Sequence, residues 1–323
     1  MKKVLSIFVV LVLLIGGLVI FFNPFKAPGG SNKIEIAIIN SSHDDAAALQ
    51  LQDGGFIRDY NAFVIALSIK NKRDKIQPGG YYLSKNMDAW QVIDKITNGP
   101  DLKWVVIPEG IRKEQIGERL KDALGWRDQE LDKWNKIDTT KNPDYFEGVY
   151  FPDTYLLPVK DDGSQIAERI ILHFNEKFAP FSKKFAEKNI KWTTAVKIAS
   201  IVQREAGSST DMPLIAGVLW NRLSAGQKLD IDATVQYAKG KTDGKWWPTV
   251  TGHDIQNIDS PYNTYKNSGL PPHPISNPGI AAINAVLNPE NTDCLYYLHD
   301  HDRQIHCAKT YEEHLKNIDK YLN

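Results

Sequence analysis

The spacing of hydrophobic residues predicts a series of strands and amphipathic helices along the first hundred residues. Residues 33–40 alternate between apolar and polar side chains and are rich in β-branched residues, which is typical of a strand. The elements that follow are predicted as helices at 45–52 and 59–70, a turn and strand at 77–84, and a helix at 87–97. The pattern therefore predicts a small α+β unit over residues 33–100.

The remainder, residues 101–323, is predicted to form a larger mixed α+β domain. It opens with a strand, a turn and a helix over residues 102–124. Further helices are predicted at 128–138, 165–178, 181–189, 193–206, 212–223, 280–287 and 311–321. Residues 228–235 alternate as a strand would, which would place Asp230 and Asp232 on one face. The fold class predicted for the whole chain is α+β.

The helix predicted at 193–206 carries a carboxyl group on or beside its apolar face. Its hydrophobic residues recur at helical spacing, and Glu205 follows Ile201 by four positions and Val202 by three. A Glu with little water around it should have a raised pKa, and a carboxyl that keeps its proton can act as a general acid. The alternative is a boundary Glu paired with a nearby Lys or Arg.

An uncharged run of 19 residues, Val4 to Phe22, precedes the predicted domains. At about 1.5 Å per residue, such a helix nearly spans a hydrocarbon core of about 30 Å. Lys2 and Lys3 come before it, so the positive-inside rule predicts a cytoplasmic tail at 1–3 and an extracytoplasmic chain after residue 22. A cleaved signal peptide is the alternative, but the run is long and shows no A-x-A site. We expect an uncleaved transmembrane anchor at 4–22, followed by a linker at 23–32.

Overall composition is that of a globular protein and gives no indication of nucleic-acid binding. The chain has 39 basic and 39 acidic residues, so its formal net charge is zero. A protein that binds nucleic acid through its phosphates usually has an excess of Lys and Arg. Nucleic acid is therefore not an expected partner.

The two cysteines, Cys294 and Cys307, flank a segment that is predicted to form a β-hairpin with its turn near Asp300-His301. A two-residue turn there would place the cysteines opposite each other, within disulfide distance. A register shift of one residue would separate them. The disulfide is a hypothesis at this point.

Several short motifs occur in a fixed order and together resemble a known family. They are Ile107-Pro-Glu-Gly110, Glu147-Gly-Val-Tyr-Phe-Pro-Asp-Thr-Tyr155, Ile201-Val-Gln-Arg-Glu-Ala206, Gly217-Val-Leu-Trp-Asn-Arg-Leu223, Leu229-Asp-Ile-Asp-Ala-Thr-Val-Gln-Tyr237, Tyr262-Asn-Thr-Tyr265, Gly269-Leu-Pro-Pro272 and Asn277-Pro-Gly279. The set resembles the YceG-like endolytic murein transglycosylases over nearly the whole chain. The segment 33–97 resembles the LysM-like subdomain of that family.

The resemblance implies a lyase that is anchored in the bacterial inner membrane by a single span, with its catalytic domain outside the cytoplasm. Such an enzyme cuts peptidoglycan glycan strands between N-acetylmuramic acid and N-acetylglucosamine, leaves 1,6-anhydro ends and terminates strand elongation. The family's catalytic Glu corresponds to Glu205. Positions expected near the substrate are Asn221, Asp232, Tyr262, Asn263, Thr264 and Tyr265. No metal or cofactor is implied, and peptidoglycan synthases are plausible partners.

Three other functions are compatible with the sequence. A non-catalytic peptidoglycan-binding scaffold would use Glu205 structurally. A hydrolytic muramidase would need a second carboxylate, for which Asp230 and Asp232 are the candidates. A metal hydrolase is suggested by four histidines, although their spacing does not match a zinc motif: His299, His301, His306 and His314.

Overall fold

The computed structural model describes residues 23–30 and 32–323. They fall into two compact units: residues up to 104 together with 156–160 form the first, and residues 105–155 together with 161–323 form the second. The chain passes from one unit to the other within a strand, and it returns briefly to the first unit within another.

The first unit has the predicted order of strand, helix, helix, strand and helix. Its elements are β1 (Ile34–Ile39), α1 (Asp44–Asp53), α2 (Tyr60–Ile69), β2 (Gly79–Ser84) and α3 (Ala89–Ile96), followed by β3 (Leu102–Val106). Strand β1 has two different faces, but it buries Ala37 and Ile39 and exposes Ile36 and Ile38, which is the opposite of what the apolar–polar alternation predicts. The buried side chains pack with residues of the three helices into one hydrophobic core.

A four-stranded sheet has the order β1-β2-β3-β4, where β4 is Thr154–Pro158. Strands β1 and β2 are antiparallel and pair Ile36 with Tyr82, and β2 continues antiparallel to β3. Ahead of the sheet, the Phe25 ring stacks on Trp90 at 5.3 Å. Part of the segment predicted as a linker is therefore packed against the first unit.

The second unit is mainly helical. It contains α4 (Lys113–Leu124), α5 (Asp128–Lys133), α6 (Gly163–Glu187), α7 (Trp192–Glu205), α8 (Met212–Ser224), α9 (Asp232–Lys239), α10 (Gly252–Asn257), α11 (Ile280–Leu287), the hairpin strands β5 (Tyr296–His299) and β6 (Ile305–Ala308), and α12 (Tyr311–Tyr321). Helix α7 packs against α8 and α11. Its apolar residues from Ala195 to Val202 are buried, so its C-terminal end is held in a fixed place.

Three predicted elements differ from those in the structure. The helices expected at 165–178 and 181–189 are one helix, α6, with Pro180 inside it. Proline removes one backbone hydrogen bond. The helix continues because Phe178 stacks on Phe174 and Phe185, at 5.3 and 5.8 Å, so the buried face holds both halves together.

The second difference concerns residues 228–235, which do not form a strand. Asp230 has a left-handed backbone with φ of 52°, and helix α9 begins at Asp232. The backbone groups that a neighbouring strand would bind are bound by side chains instead: Arg222 donates to the Lys228 carbonyl, and Thr264 accepts from the Ile231 N–H. The third difference is that the helix expected at 128–138 ends as a π-helical turn over Trp134–Asp138.

Within the ranges 23–30 and 32–323, none of the helices combines the length and apolar character needed to cross a bilayer. The predicted anchor at 4–22 and the tail at 1–3 lie outside the described residues.

Gly148 provides a test of the packing around α7. Its φ is +85°, and a Cβ added there would lie 2.7 Å from Pro274 and 2.8 Å from Val196. We expect Gly148→Ala to lower the free energy of unfolding by about 2–4 kcal/mol, because backbone strain and overpacking add. Denaturant titration would measure this. Gly226 has a φ of +67° and no atom within 4 Å of an added Cβ, so Gly226→Ala should cost only about 1 kcal/mol. Equal effects for the two variants would contradict the packing argument.

Candidate active site

A cavity of about 570 Å³ lies in the second unit, beside the C-terminal end of α7. Its walls come from α7, α8, the segment before α9, the loop after α10, the β5 strand and α12. The lining residues are Glu205, Leu219, Arg222, Leu229, Asp230, Ile231, Asp232, Tyr265, Tyr296, Tyr297, Tyr311 and His314. Carboxyl, phenol and guanidinium groups thus meet in one space with aromatic surfaces.

Glu205 is the last residue of α7 and lines this cavity. Its hydrogen-bond partner is a neutral phenol: the Tyr297 hydroxyl donates to Oε2 at 2.8 Å. Burial raises the pKa of the Glu205 carboxyl, and the negative charge of Asp232 raises it further. The Tyr297 hydrogen bond is the largest influence that lowers this pKa, although it is smaller than the effect of burial, and the Ala233 N–H and His299 lower the pKa less. Glu205 is therefore a carboxyl group that keeps its proton to a higher pH than usual.

The alternative in which Glu205 is neutralised by an adjacent cation does not match this arrangement. The adjacent cation, Arg204, has other partners. Its guanidinium lies 3.9 Å from the centroid of the Trp247 ring and donates to the Gly110 carbonyl. The environment of Glu205 is dominated by burial and by a neutral donor.

A second carboxyl group, Asp232, lies in the same cavity at the first position of α9. The Tyr265 hydroxyl donates to its Oδ1 at 2.8 Å. The predicted residues Glu205, Asp232 and Tyr265 are thus brought together, and the two carboxyl groups have different surroundings.

Arg222 fixes the wall beside Asp232. It is buried, forms an ion pair with Asp230, and donates from Nε to the Lys228 carbonyl and from Nη1 to the Leu295 carbonyl. A guanidinium with several fixed partners holds them in a defined geometry. Arg222 therefore ties the segment before α9 to the start of the hairpin.

The hairpin that carries Tyr297 is closed by a disulfide between Cys294 and Cys307, whose Cα atoms are 5.9 Å apart. The expected register is wrong, because Cys307 pairs with Tyr297 and not with Cys294. Asp300 accepts hydrogen bonds from the N–H groups of Asp302 and Gln304, which makes the turn longer than two residues. Cys294 lies just before β5 and still reaches Cys307.

One wall of the cavity is aromatic. The Tyr296 ring stacks on His314 at 5.4 Å and lies 5.9 Å from Tyr311. Burial and the positive charge of Arg222 lower the pKa of His314. Its Nδ1 atom is buried and has no hydrogen-bond partner in the structure. This wall therefore offers aromatic ring surface to a ligand.

Asn221, expected near the substrate, is not among the cavity-lining residues. Its Nδ2 donates to the carbonyl oxygens of Thr292 at 2.7 Å and Cys294 at 3.1 Å. Asn221 therefore holds the chain that enters the hairpin.

The other members of the Tyr-Asn-Thr-Tyr motif bind Tyr265 itself or residues in and next to helix α9. Asn263 is fully buried, donates to the carbonyls of Ile255 and Ile258, and accepts from the Tyr265 N–H. Thr264 accepts from the Ile231 N–H at 3.0 Å. The Tyr262 ring packs on Tyr237 with centroids 4.7 Å apart. Of these four motif residues, Tyr265 is the one that lines the cavity.

A further buried carboxyl, Glu147, was not singled out from the sequence. It accepts hydrogen bonds from the Lys113 N–H at 3.1 Å and from Asn277 Nδ2 at 2.7 Å. Burial raises its pKa, and the nearby Glu114 adds to the effect. Glu147 and Asn277 belong to two different motifs of the family resemblance, and their hydrogen bond brings these two loops together. The bond from the Lys113 N–H attaches the Glu147 loop to the start of α4.

The four histidines considered for metal binding are placed differently from a metal site. His299 lies 3.3 Å from Asp211, and His306 stacks on Tyr321 and lies 2.7 Å from Asp300. The described part of the chain contains no group of three or more His, Cys, Asp or Glu residues that could hold a metal ion.

A mixed α+β chain with a raised-pKa carboxyl in a polar, aromatic cavity has the features of an enzyme that uses acid–base chemistry. The sequence profile of the YceG-like family matches residues 36–320, so the chain belongs to the YceG-like family.

Similar proteins carry a consistent description. A Bacillus subtilis protein named endolytic murein transglycosylase is 30% identical, over 96% of this chain and 92% of its own length. A Streptococcus pneumoniae protein of the same name is 25% identical over 90% of this chain, which spans only 58% of that protein. A crystal structure of a YceG-like protein from Listeria monocytogenes superposes on this chain with a TM-score of 0.63 and 28% sequence identity. The superposition covers 88% of this chain and 99% of the Listeria chain.

Tyr297 is the main cavity residue that the motifs did not reveal. It lies in a predicted strand, outside every motif of the resemblance. Alternation along that strand places Tyr297 and His299 on the same face, which would have been the available signal.

The raised pKa of Glu205 predicts a pH-dependent cost to stability. The unfolded chain releases this proton near pH 4.5, whereas the folded chain keeps it to higher pH, so folding stability falls as pH rises above that value. We expect Glu205→Gln to unfold at a higher temperature than the wild type at pH 7, with the difference vanishing near pH 4. Calorimetry across this range would measure it. Glu290→Gln, at an exposed position, is the matched control and should change little. A wild type more stable than Glu205→Gln at pH 7 would contradict the assignment.

The disulfide predicts a second effect on stability. It joins residues that are 13 positions apart, so its removal should cost up to about 3 kcal/mol through the entropy of the unfolded chain. The double variant Cys294→Ser/Cys307→Ser should therefore have a lower denaturant midpoint, and reductant should lower that of the wild type by a similar amount. Reductant should not affect the double variant. A wild-type midpoint that is insensitive to reductant would show that the bond does not stabilise the fold.

Proposed function

We propose that this protein is a lytic transglycosylase that cleaves peptidoglycan glycan strands within the chain, between N-acetylmuramic acid and N-acetylglucosamine. The observation that carries the proposal is Glu205, a carboxyl with a raised pKa in a cavity of about 570 Å³. Membership of the YceG-like family, and relatives named endolytic murein transglycosylase, support the same substrate.

In this reaction Glu205 donates its proton to the glycosidic oxygen as the bond to muramic C1 breaks. The C6 hydroxyl of the same muramic residue attacks C1, and the Glu205 carboxylate accepts the hydroxyl proton. One C–O bond forms for the one that breaks, no water is consumed, and the acid is regenerated. A single carboxyl can perform both proton transfers because the substrate provides its own nucleophile, unlike the two-carboxylate glycosidases.

Asp232 and Tyr265 are proposed to position the sugar beside Glu205. They are hydrogen-bonded to each other and both line the cavity, so they can bind substrate hydroxyls as a pair. Asn221, Tyr262, Asn263 and Thr264 contribute by holding the walls that present this pair. The rings of Tyr296 and Tyr311 offer apolar surface on which the C–H groups of a sugar ring can pack.

A hydrolytic muramidase is the second candidate, and one observation favours it: Asp232 lines the same cavity as Glu205. A retaining or inverting hydrolase needs a second carboxylate as nucleophile or base. In that mechanism Asp232 is essential, whereas in the transglycosylase it positions the substrate.

The proposed location is the outer face of the bacterial inner membrane, with a single anchor at residues 4–22. The uncharged run after Lys2 and Lys3 supports it. We propose that the first unit is LysM-like and binds glycan, because it joins two antiparallel strands through two helices. An anchored enzyme that terminates strand elongation would act beside peptidoglycan synthases.

Glu205→Gln tests the proposed acid directly. The amide keeps the shape of the side chain but cannot donate the proton, so we expect activity on purified glycan strands to fall by at least about 100-fold. Mass spectrometry of the products should find 1,6-anhydro ends for the wild type, one water lighter than reducing ends. Glu290→Gln should retain full activity.

The same assay separates the alternatives. If the wild type released reducing ends, and Asp232→Asn no longer did, the protein would be a muramidase and the proposal would be wrong. Binding of strands without cleavage by the wild type would support a non-catalytic scaffold. Undiminished anhydro product from Glu205→Gln would exclude Glu205 as the acid.

A further inference from the structure

Tyr297 is in direct contact with the proposed acid and belongs to none of the family-like motifs. Its hydroxyl donates to Glu205 Oε2 at 2.8 Å. Burial raises the pKa of Tyr297 well above its usual range, and the neighbouring Glu205 charge raises it further. The phenol therefore keeps its proton throughout the neutral range and acts as a donor towards a carboxylate.

A fixed donor makes the two oxygens of a carboxyl group inequivalent. The oxygen that accepts the hydrogen bond carries the larger share of negative charge, and the proton then resides on the other oxygen. The donor also stabilises the ionised form, which opposes the effect of burial on the pKa of Glu205.

We infer that Tyr297 is a positioning residue for catalysis, which holds Glu205 so that Oε1 is the oxygen that exchanges the proton with the substrate. The inference rests on the proposed function of Glu205. Tyr297 acts through Glu205 and need not contact the substrate.

The position of Tyr297 is set by a chain of contacts that ends at Asn221. Tyr297 pairs with Cys307 across the hairpin, and Cys307 is bonded to Cys294. The carbonyl oxygen of Cys294 accepts from Asn221 on α8, 3.1 Å away. Asn221 is therefore assigned a positioning role of its own, one step further from the substrate.

Other charged or titratable groups also affect Glu205, so the test has to separate them from Tyr297. Asp232 on α9 raises the pKa of Glu205, whereas His299 on the hairpin lowers it. The groups around Glu205 include Arg204 on its own helix, Arg222 on α8, Asp232 at the start of α9 and Tyr265 in the loop after α10. Strand β5 adds Tyr297 and His299, with Asp211 beside His299. Removing Tyr297 and removing Asp232 should therefore have opposite effects.

The experiment is the pH profile of kcat/KM for the full chain acting on glycan strands. The alkaline limb reports loss of the Glu205 proton. Tyr297→Phe removes the hydroxyl that stabilises the carboxylate, so this limb should move to higher pH, with at least about a tenfold fall in kcat from lost positioning. Asp232→Asn should move the limb to lower pH. Tyr155→Phe is the matched control, because the Tyr155 hydroxyl donates to the Phe151 carbonyl at 2.6 Å and should leave the limb in place.

A second variant tests the chain of contacts. Asn221→Ala should move the alkaline limb in the same direction as Tyr297→Phe, and the double variant should show no additional movement. An unmoved limb in Tyr297→Phe, or a fully additive double variant, would overturn the inference.

The thermal stability of the same proteins separates this inference from the proposed function. The stability advantage of Glu205→Gln over its parent grows with pH until the folded protein has released the Glu205 proton, and the pH range of this growth should extend to higher pH when the parent carries Tyr297→Phe. If that range extends but no variant cleaves glycan, the proposed function fails while the contact remains. If the wild type cleaves, Glu205→Gln does not, and neither the range nor the limb moves, Tyr297 has no positioning role.

Discussion

Burial raises the pKa of the Glu205 carboxyl at the end of α7, and the hydrogen bond from Tyr297 is the largest influence that opposes this effect. Burial alone favours the neutral acid, and a donor favours the anion, so the balance of the two sets where the proton is released. The buried packing of α7 against α8 and α11 keeps the carboxyl in place. The disulfide and Asn221 keep the phenol in place. Two separately fixed elements therefore meet at one contact.

This arrangement explains why residues from distant parts of the sequence are needed around so small a cavity. Asn263 and Thr264 are buried and do not line it, yet they hold Tyr265 and the start of α9. Arg222 connects the segment before α9 to the hairpin. A motif can suggest that a polar residue contacts the ligand when its side chain instead binds backbone groups and holds the fold. Such side chains are needed because buried backbone groups require hydrogen-bond partners.

Much of the fold was predictable from local patterns, whereas the site was predictable only in part. Periodicity identified α7 and the position of Glu205 on it, and the family resemblance pointed to Asp232 and Tyr265. The hairpin register was not predictable, because Asp300 lengthens the turn through its own hydrogen bonds. Helix α6 continues through Pro180 because of tertiary aromatic packing, which local sequence rules do not contain. Strand alternation places Tyr297 on the same face as His299, but its contact with Glu205 depends on that register and on long-range packing, which the sequence does not show.

The path of the chain through β3 and β4 has a consequence for modularity. The first compact unit is discontinuous: residues 156–160 belong to it, although they follow some fifty residues of the second unit. A single cut near residue 104 would therefore leave the sheet without β4, and the C-terminal fragment would keep a strand that belongs elsewhere. Exchange of this unit between proteins, by recombination or by protein engineering, requires three junctions, near residues 104, 155 and 160. The two units are thus expected to be inherited together.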